Sequence, residues 1–171
     1  WARQMAQAHL SMGNLKETKR HCEQAILFLK DDLPQTPVQW TNKLLRQAFR
    51  HIFYLVRMPN PENYDTHHRW RMMELARVYS LLLEVYFVAN ESIPSLYAAV
   101  RSLNFASRVG ISAELANGYA GLSAVSAPPM LQWLNALYAR RALQTARELR
   151  QQATLARVLT ITSIRRLGNG L

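Results

Sequence analysis

The sequence predicts an all-α fold of antiparallel helix pairs stacked side by side as an α-solenoid. Three observations carry this. Long stretches are rich in Ala, Leu, Arg, Gln and Glu, all good helix formers. The six glycines and seven prolines fall almost wholly between segments of helical apolar periodicity, and no stretch reads as a strand. Turn-like breaks at Asn90, near Ala127 and at Gly168 are spaced 37 and 41 residues apart, close to the periods of about 34 to 40 residues of paired-helix repeats. The whole of 1–171 reads as a single helical-repeat region with an internal loop near 57–68.

Eight helices are expected, near 1–12, 15–30, 38–57, 67–89, 93–109, 113–126, 130–148 and 150–167. The Gly13–Asn14 turn separates the first two, and "LGNGL" at the end repeats it at Gly168 and Asn169. On this first pair the tetratricopeptide pattern puts Ala6 and Ala25 at small positions where helices touch, Gly13 at the turn, and Thr18 and Cys22 inside the second helix. Met5 and His9 stand at the usual aromatic positions, and the closing proline comes late, at Pro34. The helix at 38–57 has no partner in this scheme and reads as an insertion or a cap. "RMPNPENYDTHH", from Arg57 to His68, is the one substantial loop. Ser92 is expected to cap the helix whose first turn holds Pro94. Gly110 stops that helix in a left-handed conformation and Ser112 caps the next. Gly118 and Gly121 then lie inside a helix on roughly one face; each costs about 1 kcal/mol relative to Ala there, so the pair implies a close neighbour. Pro128 and Pro129 stop this helix and open the next.

Composition bounds the function. Of 21 basic residues 17 are Arg, against 11 acids, for a net charge of +10. Such a balance favours an acidic partner, but the Arg residues are scattered, as on a solvated face. No stretch approaches the length of a membrane span. Cys22 stands alone, which excludes an internal disulfide or multi-cysteine zinc site and fits a reducing, cytoplasmic setting. The opening Trp1 in place of Met reads as a piece of a longer chain.

From Glu84 onward "EVYFVANESIPSLYAAVRSLNFASRVGISAELANGYAGLSA" resembles the helical-repeat region of large bacterial signalling ATPases, in which a class III nucleotide cyclase domain and a P-loop ATPase domain precede tetratricopeptide-like repeats. The matching features are Tyr86 and Phe87, the turn at Asn90 and Glu91, the "LYAAVRSLNFA" helix with Asn104, and the "SAELANGYAGL" helix; "GNLKETKRHCEQAILFL" resembles the repeat before them. The resemblance implies a non-enzymatic scaffold for a protein partner or for adjacent domains of the same chain, with the catalytic domains outside this sequence.

The candidate chemistries point the same way. A phosphate loop needs Lys after its glycines, and no Lys follows Lys43. His67 and His68 are adjacent, so they diverge by about 100° on a helix, and His21 has the same relation to Cys22. No catalytic residue, metal ligand or cofactor site is expected, and Cys22 reads as a buried small hydrophobe. Arg77, Tyr79, Tyr86 and Asn117 are the expected exposed partner contacts on a concave face of first helices. The alternative function is a basic nucleic-acid-binding adaptor. Arg140, Arg147 and Arg150 would form its stripe, the Arg-rich "HHRWRMMELAR" would add to it, and Trp70 or Tyr138 would stack on bases.

Overall fold

The structure, a computed structural model, describes residues 1–57, 59, 64–124 and 132–168, the side chains of 132 and 164–168 excepted. Every described element is a helix: α1 (Ala2–Ser11), α2 (Leu15–Phe28), α3 (Pro37–Val56), α4 (Thr66–Val88), α5 (Ser92–Val109), α6 (Ala113–Ala124), α7 (Gln132–Glu148) and α8 (Gln152–Gly168). The expected breaks near Ala127, Pro128 and Pro129, the Asn169 half of the last turn and residues 58 and 60–63 of the 57–68 loop lie outside the described residues.

Local chemistry sets the boundaries. Gly13 takes φ 73° after α1, and the Asn14 side chain caps α2 by accepting from the Glu17 N–H. The Arg71 guanidinium caps the other end of α2, donating to the carbonyls of Leu29 and Lys30. Thr36 caps α3 with Pro37 in its first turn, and Asp65 caps α4 by accepting from His68 N–H. Asn90, at φ 58°, ends α4 in the left-handed region that Asn tolerates. The next helix then starts one residue earlier than expected: Glu91 holds the N-cap position, without a side-chain hydrogen bond, and Ser92 is already inside α5. Gly110 ends α5 at φ 92°, ψ −159°, an extended conformation open essentially to glycine alone and not the left-handed turn expected. The Ser112 hydroxyl accepts from Leu115 N–H at the start of α6.

Consecutive helices joined by turns of about three residues and packed on each other must run antiparallel. That holds for α1 with α2 and for α4 with α5, and α6 and α7 also pack together. The first members of these pairs also touch in series, α1 on α4, α4 on α6 and α6 on α8. The helix without a partner in the repeat scheme, α3, packs on α5. It covers the face of α5 left open by α4 and α6, so α5 is buried almost throughout, from Ser95 to Val109. The α3–α5 seam holds a buried polar clasp: the Asn104 amide donates to the Gln47 carbonyl and to Gln47 Oε1, at 3.0 and 3.1 Å. Trp40 of α3 sits edge-on to Tyr86 and Tyr97.

The glycines of α6 serve two different neighbours. A methyl at Gly118 would lie 3.2 Å from Leu103 Cα on α5, whereas one at Gly121 would meet Leu83 Cδ2 on α4 at 2.7 Å. Ala25 is buried on α2. Gly168 is the last residue of α8. Among the described residues no helix is long and apolar enough to cross a membrane.

Candidate partner-binding groove

The series α1, α4, α6, α8 lines a groove. Residues three and four apart on a helix share a face, and Ser80, Leu83, Glu84, Phe87 and Val88 of α4 form one such stripe. It faces Asn117, Gly121 and Ala124 of α6 and Arg157, Thr160 and Ile161 of α8 across a cavity of about 450 Å³. A second hollow of about 210 Å³ continues it towards Arg3 and Gln7 of α1, and Ser80, Asn117 and Arg157 border both. Apolar side chains dominate the larger cavity, and Phe87 is half exposed at 52%.

Ion pairs tie the lining helices together. Glu74 of α4 accepts from Arg3 of α1 and from Arg77, both at 2.7 Å, and Arg77 also reaches Glu114 of α6 at 2.7 Å. Burial works against the Glu74 charge, yet the Arg3 and Arg77 guanidinium groups outweigh it and hold the carboxyl below its usual range. At the α8 side Arg157 pairs with Glu84. Charge in the groove is therefore largely matched, which leaves apolar surface and Asn117, whose Oδ1 is buried without a hydrogen-bond partner, as its unengaged features.

Of the four expected contacts, two are in this groove and two are not. Arg77 borders the smaller hollow, bound on both sides by carboxylates, and Asn117 lies at the junction. Tyr79 and Tyr86, expected to be exposed, are core residues at 0% and 1% exposure. Helix α4 packs on α1, α2, α5 and α6, so only one narrow stripe of it remains open and the tyrosines fall elsewhere. The Tyr79 hydroxyl donates to Asp31 Oδ2 at 2.8 Å, and Asp31 also accepts from Arg101, whose guanidinium lies 4.4 Å from the Phe105 ring centre. The sequence reading missed Arg3, Glu74, Glu84, Phe87, Glu114 and Arg157; the spacing of Glu84 and Phe87 beside Ser80 was the available signal.

The remaining candidates take other roles. Arg140, Arg147 and Arg150 are all exposed, and among the described residues none of them forms an ion pair. None lines the groove. Within "HHRWRMMELAR", Arg71 and Arg77 are held by helix carbonyls and carboxylates, which removes them from any phosphate-binding stripe. Tyr138 is buried against His51 and Tyr119, closed to a base, while Trp70 is half exposed. Cys22 is fully buried, and burial pushes its thiol up to about 12. One further exposed feature was not read from the sequence: Val38, Leu45, Phe49, Ile52 and Val56 leave an apolar stripe along α3.

Comparison with protein-family models, with curated proteins and with solved structures gives no match.

Proposed function

We propose that this chain is a tetratricopeptide-like scaffold that holds a protein partner, or an adjacent domain of its own chain, in the groove of its first helices. The observation that carries the reading is the unbroken series α1–α4–α6–α8, in which α4, α6 and α8 line an apolar cavity flanked by the Arg157–Glu84 pair and α1 borders the hollow that continues it. Grooves of this type accept a helix or an extended segment by burying its apolar anchors. A place in a bacterial signalling protein of the cyclase and ATPase type agrees with the resemblance of the Glu84 to Ala124 segment and is part of the proposal, as is a cytoplasmic setting.

A photo-crosslinking residue placed at 87 in the full-length protein tests it, with the same residue at 49 on the α3 stripe as the contrast. A single defined adduct from 87 and none from 49 is the expected result. Adducts from 49 alone would move the binding face to α3 and refute the groove. The exposed Arg140, Arg147 and Arg150 favour a second reading, nucleic-acid binding. For three phosphate contacts that reading requires affinity for an oligonucleotide to fall about fortyfold between 50 and 200 mM salt.

A further inference from the structure

We propose that His9, Glu17 and His21 form a Zn²⁺ site that clips α1 to α2. One ligand atom from each lies within 4.8 Å of the other two, and all three side chains are partly buried. Glu17 and His21 are four apart on α2 and so share a face. His9 comes from α1, brought alongside by the tight turn at Gly13. The pairing of His21 with its neighbour Cys22 in sequence gave no sign of this cluster, because Glu17 stands one turn earlier and His9 comes from another helix.

The donor set suits the ion. Two imidazoles and a carboxylate are a set that Zn²⁺ uses, leaving one position for water or a fourth ligand. The two rings are stacked, with centroids 5.3 Å apart and planes within 10°. His9 Nδ1 is buried and has no hydrogen-bond partner. His21 Nδ1 lies 3.2 Å from Gln24 Oε1, so a proton on Nδ1 leaves Nε2 free to ligate, and Nε2 is the atom that faces Glu17 at 3.9 Å. Tetrahedral coordination at about 2.0–2.1 Å requires donor atoms roughly 3.3 Å apart, so binding would draw the three side chains closer than their present spacing of up to 4.8 Å. Glu17 currently accepts from Arg20 at 2.6 Å. The Arg20 side of that pair is exposed and screened by solvent, so the carboxylate can exchange it for a divalent ion.

The site lies outside the groove and does not rest on the scaffold reading. Its test is calorimetric titration of the untagged 171-residue chain with ZnCl₂ alone, paired with thermal melts. One Zn²⁺ per chain is expected, with a rise in Tm on saturation. Loss of an outer partner costs about tenfold to a hundredfold in metal affinity, so Gln24→Ala should weaken binding by roughly tenfold and His9→Ala or His21→Ala by more than a hundredfold. His9→Gln stands in if the alanine variant loses helical signal. The double variant His67→Ala/His68→Ala should bind as the parent does. Absent saturable binding, binding indifferent to His9 and His21, or binding that needs His67 or His68 would each overturn the proposal.

Discussion

Replacing Gly118 and Gly121 separately by Ala should destabilise the chain at 118 and leave it near neutral at 121, although both lie in the interior of α6 three residues apart. An exposed helical Gly→Ala change stabilises by about 1 kcal/mol through propensity alone. At 118 the new methyl meets Leu103 Cα and Cδ1, both at 3.2 Å, and Leu103 is a fully buried residue of the helix that α3, α4 and α6 enclose. Overpacking of that kind costs about 1–3 kcal/mol, so Gly118→Ala should be net destabilising by about 1 kcal/mol. At 121 the closest atom, at 2.7 Å, is the tip of the Leu83 side chain, which borders the groove cavity and has space to turn. An off-rotamer adjustment costs about 0.5–1.5 kcal/mol, which leaves Gly121→Ala within about 0.5 kcal/mol of neutral. Urea unfolding reads the difference as a shift in midpoint at constant m, or as about 2–4 °C in Tm per kcal/mol for a chain of this size. If both variants stabilise equally, close approach of α6 to the α5 backbone is not why glycine stands at 118.

Two further perturbations probe the buried polar groups. Asp31→Ala would strand the Arg101 guanidinium, itself nearly buried, and should cost about 3–5 kcal/mol by chemical denaturation, against about 1 kcal/mol for Tyr79→Phe, which removes a single hydrogen bond to the same carboxylate; equal losses would refute the central role of the ion pair. His51 is buried between α3 and α7, where its Nε2 lies 3.0 Å from the Tyr138 hydroxyl. Burial pushes the imidazole down to about 4, with the positive charge of Arg141 adding to that and the Asn104 amide opposing it. The unfolded chain therefore takes up a proton near pH 6.5 that the folded chain refuses. The contribution is complete above pH 6.5 and is lost as pH falls towards 4, and the loss reaches about 2–3 kcal/mol by pH 4.5. His51→Phe should flatten the stability profile across that window relative to the parent, and an unchanged slope would show that His51 does not govern it.

Helix ends were legible because the groups that make them are local. Wherever the bounds are described, the expected spans lie within about two residues of the observed helices, since Gly13, Asn14, Gly110 and Ser112 act within one turn of where they stand. Two turns left no such signal: Lys30 and Arg150 take φ 55° and 52° without a glycine to mark them. The tyrosines of α4 were misplaced for a different reason. A helix packed on four others has apolar residues around most of its circumference, so its phase no longer tells core from groove. The ionic links of the groove were equally invisible, because Arg3 and Glu74 are 71 residues apart and Arg77 and Glu114 are 37 apart.

Those links also change what the net charge of +10 means. Among the described residues six acids, Glu17, Asp31, Asp32, Glu74, Glu84 and Glu114, are engaged by Arg or Lys, and three of these pairings, Arg3–Glu74, Arg77–Glu114 and Arg157–Glu84, join different helices. Carboxylates are thus used up in holding the helices in place, while much of the surplus of guanidinium, Arg140, Arg147 and Arg150 included, stays on the surface. Among the described residues the exposed Arg140, Arg147 and Arg150 stand apart from the groove, whose own charges are paired. On the proposed scaffold reading the groove would select by apolar fit, and the unpaired surface charge would act at longer range, raising the encounter rate of an acidic partner without fixing its pose. Composition alone could not separate these two roles, because it counts charges and not their partners.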